Sequence, residues 1–192
     1  MDHASTICMV ILAGGQSRRM GRNKATMMLG RERLIDRIIS QYQSQVDHIV
    51  ISASNDFGTG LFCIADDLDA PRGPVGAIFT IADKLPRQMP GLAGFCTAPV
   101  DAPFAPDDLV ARLAGGERCA VATGPERIHP TFAYWRCDQV NSVRRAHDQG
   151  ETAPSLQWLA RKCNAKSIAW ADESLFMNIN TPEDLRLAET RK

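Results

Sequence analysis

Thr6 to Leu12 is an unbroken β-prone run that stops at Gly14-Gly15, and the cations Arg18, Arg19, Arg22 and Lys24 follow directly. A run with no polar alternation predicts a strand buried on both faces, as in the interior of a parallel sheet. Adjacent glycines let the chain turn sharply and bring its N–H groups close to an anion. Arginine can then clamp phosphate oxygens in a fork, while lysine supplies a compact charge. A solvated basic loop is the simpler alternative, but strand, glycines and cations occur in the order that a polyphosphate cradle needs. The spacing excludes two other cradles. There is no GxxxxGK[ST], hence no Walker-type loop, and no GxGxxG, hence no dinucleotide fingerprint.

The rest of the chain alternates short apolar runs with helical periods. Arg33 to Gln45, Pro74 to Leu85, Pro106 to Leu113, Val140 to His147 and Ser155 to Arg161 read as helices. His48 to Ala53, Leu61 to Ala65, Gly94 to Val100, Cys119 to Thr123 and Pro130 to Trp135 read as strands, the last two as a pair. Asp107 and Asp108 are expected in the first turn of their helix. Thr181-Pro182-Glu183-Asp184 opens a final helix, with Thr as N-cap, Pro first and an acid third. This alternation predicts an α/β fold whose mostly parallel sheet is flanked by helices on both faces. Ligands bind such sheets beyond the carboxyl ends of the strands, which places Gly14-Gly15 and Asp101 at one edge.

At 192 residues the chain suits one domain. Its formal net charge of +0 gives no global field toward nucleic acid or an anionic membrane, so neither is an expected partner. The run Ile7 to Ala13 is too short to span a bilayer and lacks the flanks of a signal peptide, so a cytoplasmic address is expected. The six cysteines show no CxxC spacing and read as free thiols; Cys8 and Cys96 fall inside apolar runs. His3, His48, His129 and His147 have no metal-ligand spacing.

Asp101 ends an apolar run and precedes Ala102-Pro103. A carboxylate there suits a hard divalent cation, which takes one or two carboxylates plus phosphates and water; a turn or N-cap aspartate is the structural alternative. Asp66 likewise fits either nucleotide contact or a plain acidic turn, and Asp67 and Asp69 read as solvated charges. Asn178 and Asn180, just ahead of the final helix, suit turn formation. His129, before Pro130, is expected to be extended or in a turn and carries no assigned chemistry. Arg144 and Arg145 could grip a ligand, but a solvated helix face explains them equally well.

Leu12-Ala13-Gly14-Gly15-Gln16-Ser17-Arg18-Arg19-Met20-Gly21-Arg22-Asn23-Lys24 resembles the LAGGxSxRMGxxK signature of nucleotidyltransferases, and in particular that of the bacterial molybdenum cofactor guanylyltransferases. Asp66 with Gly73-Pro74-Val75-Gly76, Val100-Asp101-Ala102-Pro103-Phe104, His129-Pro130-Thr131 and Asn178-Ile179-Asn180-Thr181-Pro182-Glu183-Asp184-Leu185 resemble later signatures of that family, in the family's order. The resemblance spans nearly the whole chain.

It implies a three-layer Rossmann-like nucleotidyltransferase fold over residues 1–192. It also implies transfer of GMP from GTP to molybdopterin, with release of pyrophosphate. By the same pattern, Leu12, Ala13, Gly14, Gly15, Lys24, Asp66 and Asp101 contact the nucleotide; Arg19, Lys24 and Asp101 are catalytic; Asp101 holds Mg²⁺, with Mn²⁺ as an alternative; and Asn178 and Asn180 lie on the substrate side. Molybdenum cofactor insertion proteins and molybdoenzyme clients are the implied protein partners. Gly15 favours guanine, because related cytidylyltransferases carry LAAG. One departure pulls the other way: Ser52-Ala53-Ser54 stands where some guanylyltransferases have Asn-x-Asn, and serine reaches less far. Cytidylyl transfer, another NTP transfer and a non-catalytic nucleotide or molybdopterin carrier are the alternatives.

Overall fold

The computed structural model describes residues 6–14, 23–147 and 154–191. Nine strands are assigned among them: β1 (Cys8–Leu12), β2 (Met28–Leu29), β3 (Glu32–Arg33), β4 (His48–Ser52), β5 (Phe62–Ile64), β6 (Gly94–Pro99), β7 (Ala120–Thr123), β8 (Ile128–Arg136) and β9 (Lys166–Ala169). The helices are α1 (Leu34–Tyr42), α2 (Pro74–Gln88), α3 (Leu109–Leu113), α4 (Cys137–Ala146), α5 (Leu156–Lys162) and α6 (Pro182–Glu189). Seven strands form the main sheet in the order β5-β4-β1-β6-β8-β7-β9, and β2 and β3 form a separate small hairpin.

The sheet is mostly parallel, as expected. β1 pairs in parallel with both β4 and β6, β4 with β5, and β7 with β9, whereas β8 runs against β6 and β7. The cause of that reversal is local. Only residues 124–127 join β7 to β8, closed by Gly124 N–H donating to Arg127 O at 2.9 Å, and so short a link permits only an antiparallel pair. β9 and the β2–β3 hairpin were not foreseen. β9 is short and largely exposed, so it carries little apolar signal.

Strand alternation divides the core in two. Met9 and Ile11 of β1 face one layer with Ile35, Ile38 and Tyr42 of α1 and Leu109 and Leu113 of α3. Cys8 and Val10 face the other, with Ile78, Phe79 and Leu85 of α2, Val140 of α4 and Leu159 of α5. β1 is thus buried on both faces, which is why it reads as a continuous apolar run. All six cysteines are free, and all but Cys63 are buried. Among the described residues no helix is long and apolar enough to cross a membrane.

Four helices depart from the expected bounds by three residues at one end: α1 stops at Tyr42 rather than Gln45, α4 starts at Cys137 rather than Val140, and α3 and α2 differ as follows. α3 begins at Leu109, so Asp107 and Asp108 precede it; Asp108 instead accepts the Trp170 indole N–H at 2.8 Å and pairs with Arg112. α2 runs three residues past Leu85 and contains Pro86. Proline has no N–H, so the Ala82 carbonyl one turn earlier loses its helical donor. Asn141 of α4 supplies the replacement, its Nδ2 donating to Ala82 O at 3.0 Å.

Candidate functional site

From β1 the chain first moves outward through α1 to β4 and β5, then returns through α2 to place β6 on the other flank of β1. Connections therefore leave β1 in opposite directions, and the carboxyl ends of β1 and β6 mark the switch point where α/β sheets bind ligands. Backbone bonds tie these ends together. Ala13 N–H donates to Ser52 O at 3.2 Å, and Val100 N–H to Leu12 O at 3.1 Å. Gly14 lies against the Ser52 carbonyl, 3.2 Å from where a Cβ would stand. The buried Ser52 thus serves this edge through its backbone.

Lys24 enters from a 3₁₀ turn, Lys24–Thr26, capped by Asn23, whose side chain accepts Ala25 N–H at 3.0 Å. Its ammonium lies 2.6 Å from Asp101 Oδ2 and donates to Asn180 Oδ1 at 2.5 Å. The Lys24 and Asp101 side chains are 19% and 17% exposed, enough for a ligand to reach them while most of their solvent is excluded. The segment before α6 closes against this pair. Ile179 N–H donates to Asp101 O at 2.7 Å, and Ile179 is buried with Leu29 and Leu34. Asn180 is fixed by the cap of α6: Asp184 Oδ2 accepts the N–H groups of Asn180 and Thr181, while Thr181 Oγ1 accepts Asp184 N–H. Asn178 Oδ1 is buried with no donor among the described residues.

Leu12, Ala13, Gly14, Lys24, Asp101, Asn178 and Asn180 therefore gather at one edge. Gly15, Arg18, Arg19 and Arg22 lie outside the described residues. Asp66 follows β5 on the same edge, but β4 separates β5 from β1, a spacing of about 10 Å. Desolvation raises the pKa of its carboxyl, Asp67 adds to the rise and Lys84 opposes it.

Asp67 is not the solvated charge it was expected to be. It pairs with Lys84 at 2.7 Å and with Arg144 at 3.6 Å, and the Lys84 contact above all holds its carboxyl below the usual range. Arg144 also reaches Asp83 and the Phe79 carbonyl, so it braces α2 rather than facing solvent. His129 lies in β8, buried, stacked on Phe176 at 4.5 Å between centroids and 2.7 Å from Glu173 Oε1. Burial lowers its pKa although Glu173 opposes the shift. Glu173 had no signal in the sequence: it is a lone acid in a short 3₁₀ turn, brought to His129 only by the fold.

Residues 9–163 match the family model of the MobA-like NTP transferase domain. The chain belongs to this family. A molybdenum cofactor guanylyltransferase of Cereibacter sphaeroides is 35% identical over 94% of this chain and 94% of its own, and one of Rhizobium meliloti is 35% identical over 98% and 93%. Among solved structures, molybdopterin-guanine dinucleotide biosynthesis protein A of Archaeoglobus fulgidus is similar with a TM-score of 0.69 at 23% identity, covering 95% of this chain and 96% of that one. A 4-diphosphocytidyl-2C-methyl-D-erythritol synthase of Anaerococcus prevotii reaches 0.72 at 11% identity, covering 96% and 97%. At such identities the shared feature is the nucleotidyltransferase fold, which different substrates reuse. MobA-like membership accounts for the order of the motifs, and the fold accounts for their meeting at one edge.

Proposed function

We propose that this chain transfers GMP from GTP to molybdopterin and releases pyrophosphate. The observation that carries the reading is the convergence of Lys24 and Asp101 at the switch point, in a MobA-like chain whose relatives are named molybdenum cofactor guanylyltransferases. A terminal phosphate oxygen of molybdopterin attacks the α-phosphorus of GTP; the new P–O bond forms as the bond to pyrophosphate breaks in line. The nucleophile is already ionised, so no general base is required, and positioning with charge stabilisation dominates.

The backbone of Ala13 and Gly14 lies along the nucleotide, and the family pattern adds Gly15 to this contact. Lys24 and Arg19 offset charge on the departing pyrophosphate. Asp66 contacts the nucleotide from the β5 end, and Asn178 and Asn180 lie on the substrate side. The oxygen donors suit a hard cation: Asp101 Oδ2 and Asn180 Oδ1 converge, and the buried Asn178 Oδ1 has no donor among the described residues. Mg²⁺, or Mn²⁺ in its place, would be held on Asp101 and would act as a Lewis acid on phosphate oxygens.

Incubating the protein with molybdopterin, Mg²⁺ and each of GTP, CTP, ATP and UTP, then weighing the product, tests the reading. A GMP adduct with stoichiometric pyrophosphate is expected. A CMP adduct would move the chain to cytidylyl transfer, and no pyrophosphate with any triphosphate would make it a carrier.

A further inference from the structure

The contact between Lys24 and Asp101 joins two groups that the proposed reaction needs for different partners. Asp101 is to carry a divalent cation and Lys24 is to meet the triphosphate, yet Lys24 Nζ lies 2.6 Å from Asp101 Oδ2 and is shared with Asn180 Oδ1. Three separate pieces of chain build this seat. The 3₁₀ turn under Lys24 is closed by Met27 N–H donating to Lys24 O at 3.0 Å. Asp101 is held through its carbonyl by Ile179, and Asn180 through its N–H by Asp184. The lysine is therefore not a surface side chain resting on a chance neighbour.

A carboxylate oxygen and an amide oxygen are also donors that a hard divalent ion takes, at about 2.0–2.6 Å. An ammonium at hydrogen-bond distance from the same carboxylate oxygen would repel such an ion. We infer that the Lys24 ammonium and a divalent cation compete for Asp101, so that the lysine fills the seat until a metal–nucleotide complex displaces it. A triphosphate offers Lys24 more negative charge than one carboxylate, so nucleotide draws the ammonium away and frees Asp101. Metal alone must compete against it, and its apparent affinity falls by the fraction of molecules in which the carboxylate is free. Metal and nucleotide thus bind with positive coupling beyond their direct contact. This inference rests on the metal and phosphate roles proposed above.

Mn²⁺ binding to the nucleotide-free protein, read from the electron paramagnetic resonance of the free ion, tests it with no need for turnover. Lys24→Met should bind Mn²⁺ about fivefold more tightly than the wild type, the change expected when a partly exposed ion pair is removed. Asp101→Asn should lose the site, with circular dichroism confirming that both variants are folded. A second measurement uses only the wild type: Mn²⁺ should speed acetylation of Lys24 by an N-hydroxysuccinimide ester, relative to the distant Lys166, as mapped by peptide mass. Unchanged or weaker binding by Lys24→Met, or unchanged labelling of Lys24, overturns the competition while loss of the site in Asp101→Asn keeps the metal reading. Undiminished Mn²⁺ binding by Asp101→Asn overturns the metal reading itself.

Discussion

Asp184 Oδ2 accepts the backbone N–H of Asn180 at 2.8 Å, so the cap that starts α6 also supports the amide that holds Lys24. The Asn180 contact, more than any other, keeps the Asp184 carboxyl below its usual range, and Thr181 and Lys24 add to this. The folded chain therefore binds this proton less readily than the unfolded chain. The stability it contributes is complete above the unfolded value of about 3.9 and is lost as pH falls through the folded one. Denaturant melts between about pH 5 and pH 3 should show the wild type losing more stability than Asp184→Asn. Thr181→Ala should cost about 1 kcal/mol at neutral pH. Parallel pH profiles for wild type and Asp184→Asn would remove the carboxylate from this role.

Pro86 and Asn141 make a second coupled pair. The Ala82 carbonyl is buried and takes its hydrogen bond from Asn141 because Pro86 cannot donate one. Asn141→Leu should cost about 1–3 kcal/mol, the penalty of a stranded buried acceptor. In a Pro86→Ala background the helix regains its own donor and the cost should shrink. Additive losses across the double-mutant cycle would show that the two residues act independently.

These pairs explain what was legible in the sequence. Buried parallel strands such as β1 announce themselves because both faces are apolar, and Thr181 to Asp184 spells its own cap. The return of β6 beside β1, which makes neighbours of Lys24 and Asp101, is a long-range event with no local mark. It was approached through the rule that α/β sheets bind ligands beyond the carboxyl ends of their strands, which put Gly14-Gly15 and Asp101 at one edge, and through the family's motif order. The continuation of α2 through Pro86 had no local mark, because the donor that replaces the missing N–H, Asn141, lies on another helix. The tie between Glu173 and His129, and the engagement of Asp67 by Lys84 and Arg144, were invisible for the same reason: charge type is local, but pairing is tertiary.

Gly76 and Gly14 should separate stability from binding. A Cβ on Gly76 would stand 1.9 Å from the Pro71 carbonyl oxygen, a backbone atom that cannot swing aside, whereas one on Gly14 would meet Ser52 O at 3.2 Å. Gly76→Ala should lose more than about 2 kcal/mol in a thermal or urea melt, through forced backbone shifts. Gly14→Ala should melt within about 1 kcal/mol of wild type while weakening nucleotide binding by equilibrium dialysis. The reverse ranking would show that the turn after β1 is the tighter of the two.

The placement of the three charged residues predicts a kinetic order. Asp101 follows β6 in contact with Lys24, while Asp66 lies two strands from β1 across the same edge. Asp101→Ala should lower kcat about 10²–10³-fold, because the charge stabilisation it anchors acts on the transition state. Lys24→Ala should lower kcat and raise the KM for GTP together, since the triphosphate meets it both before and during transfer. Asp66→Asn should mainly raise that KM, by about threefold to tenfold, with kcat little changed. Full turnover in Asp101→Ala or Lys24→Ala would break the assignment at its centre. An Asp66→Asn defect confined to kcat would instead place that carboxylate beside the reacting phosphorus, closer than β4 allows.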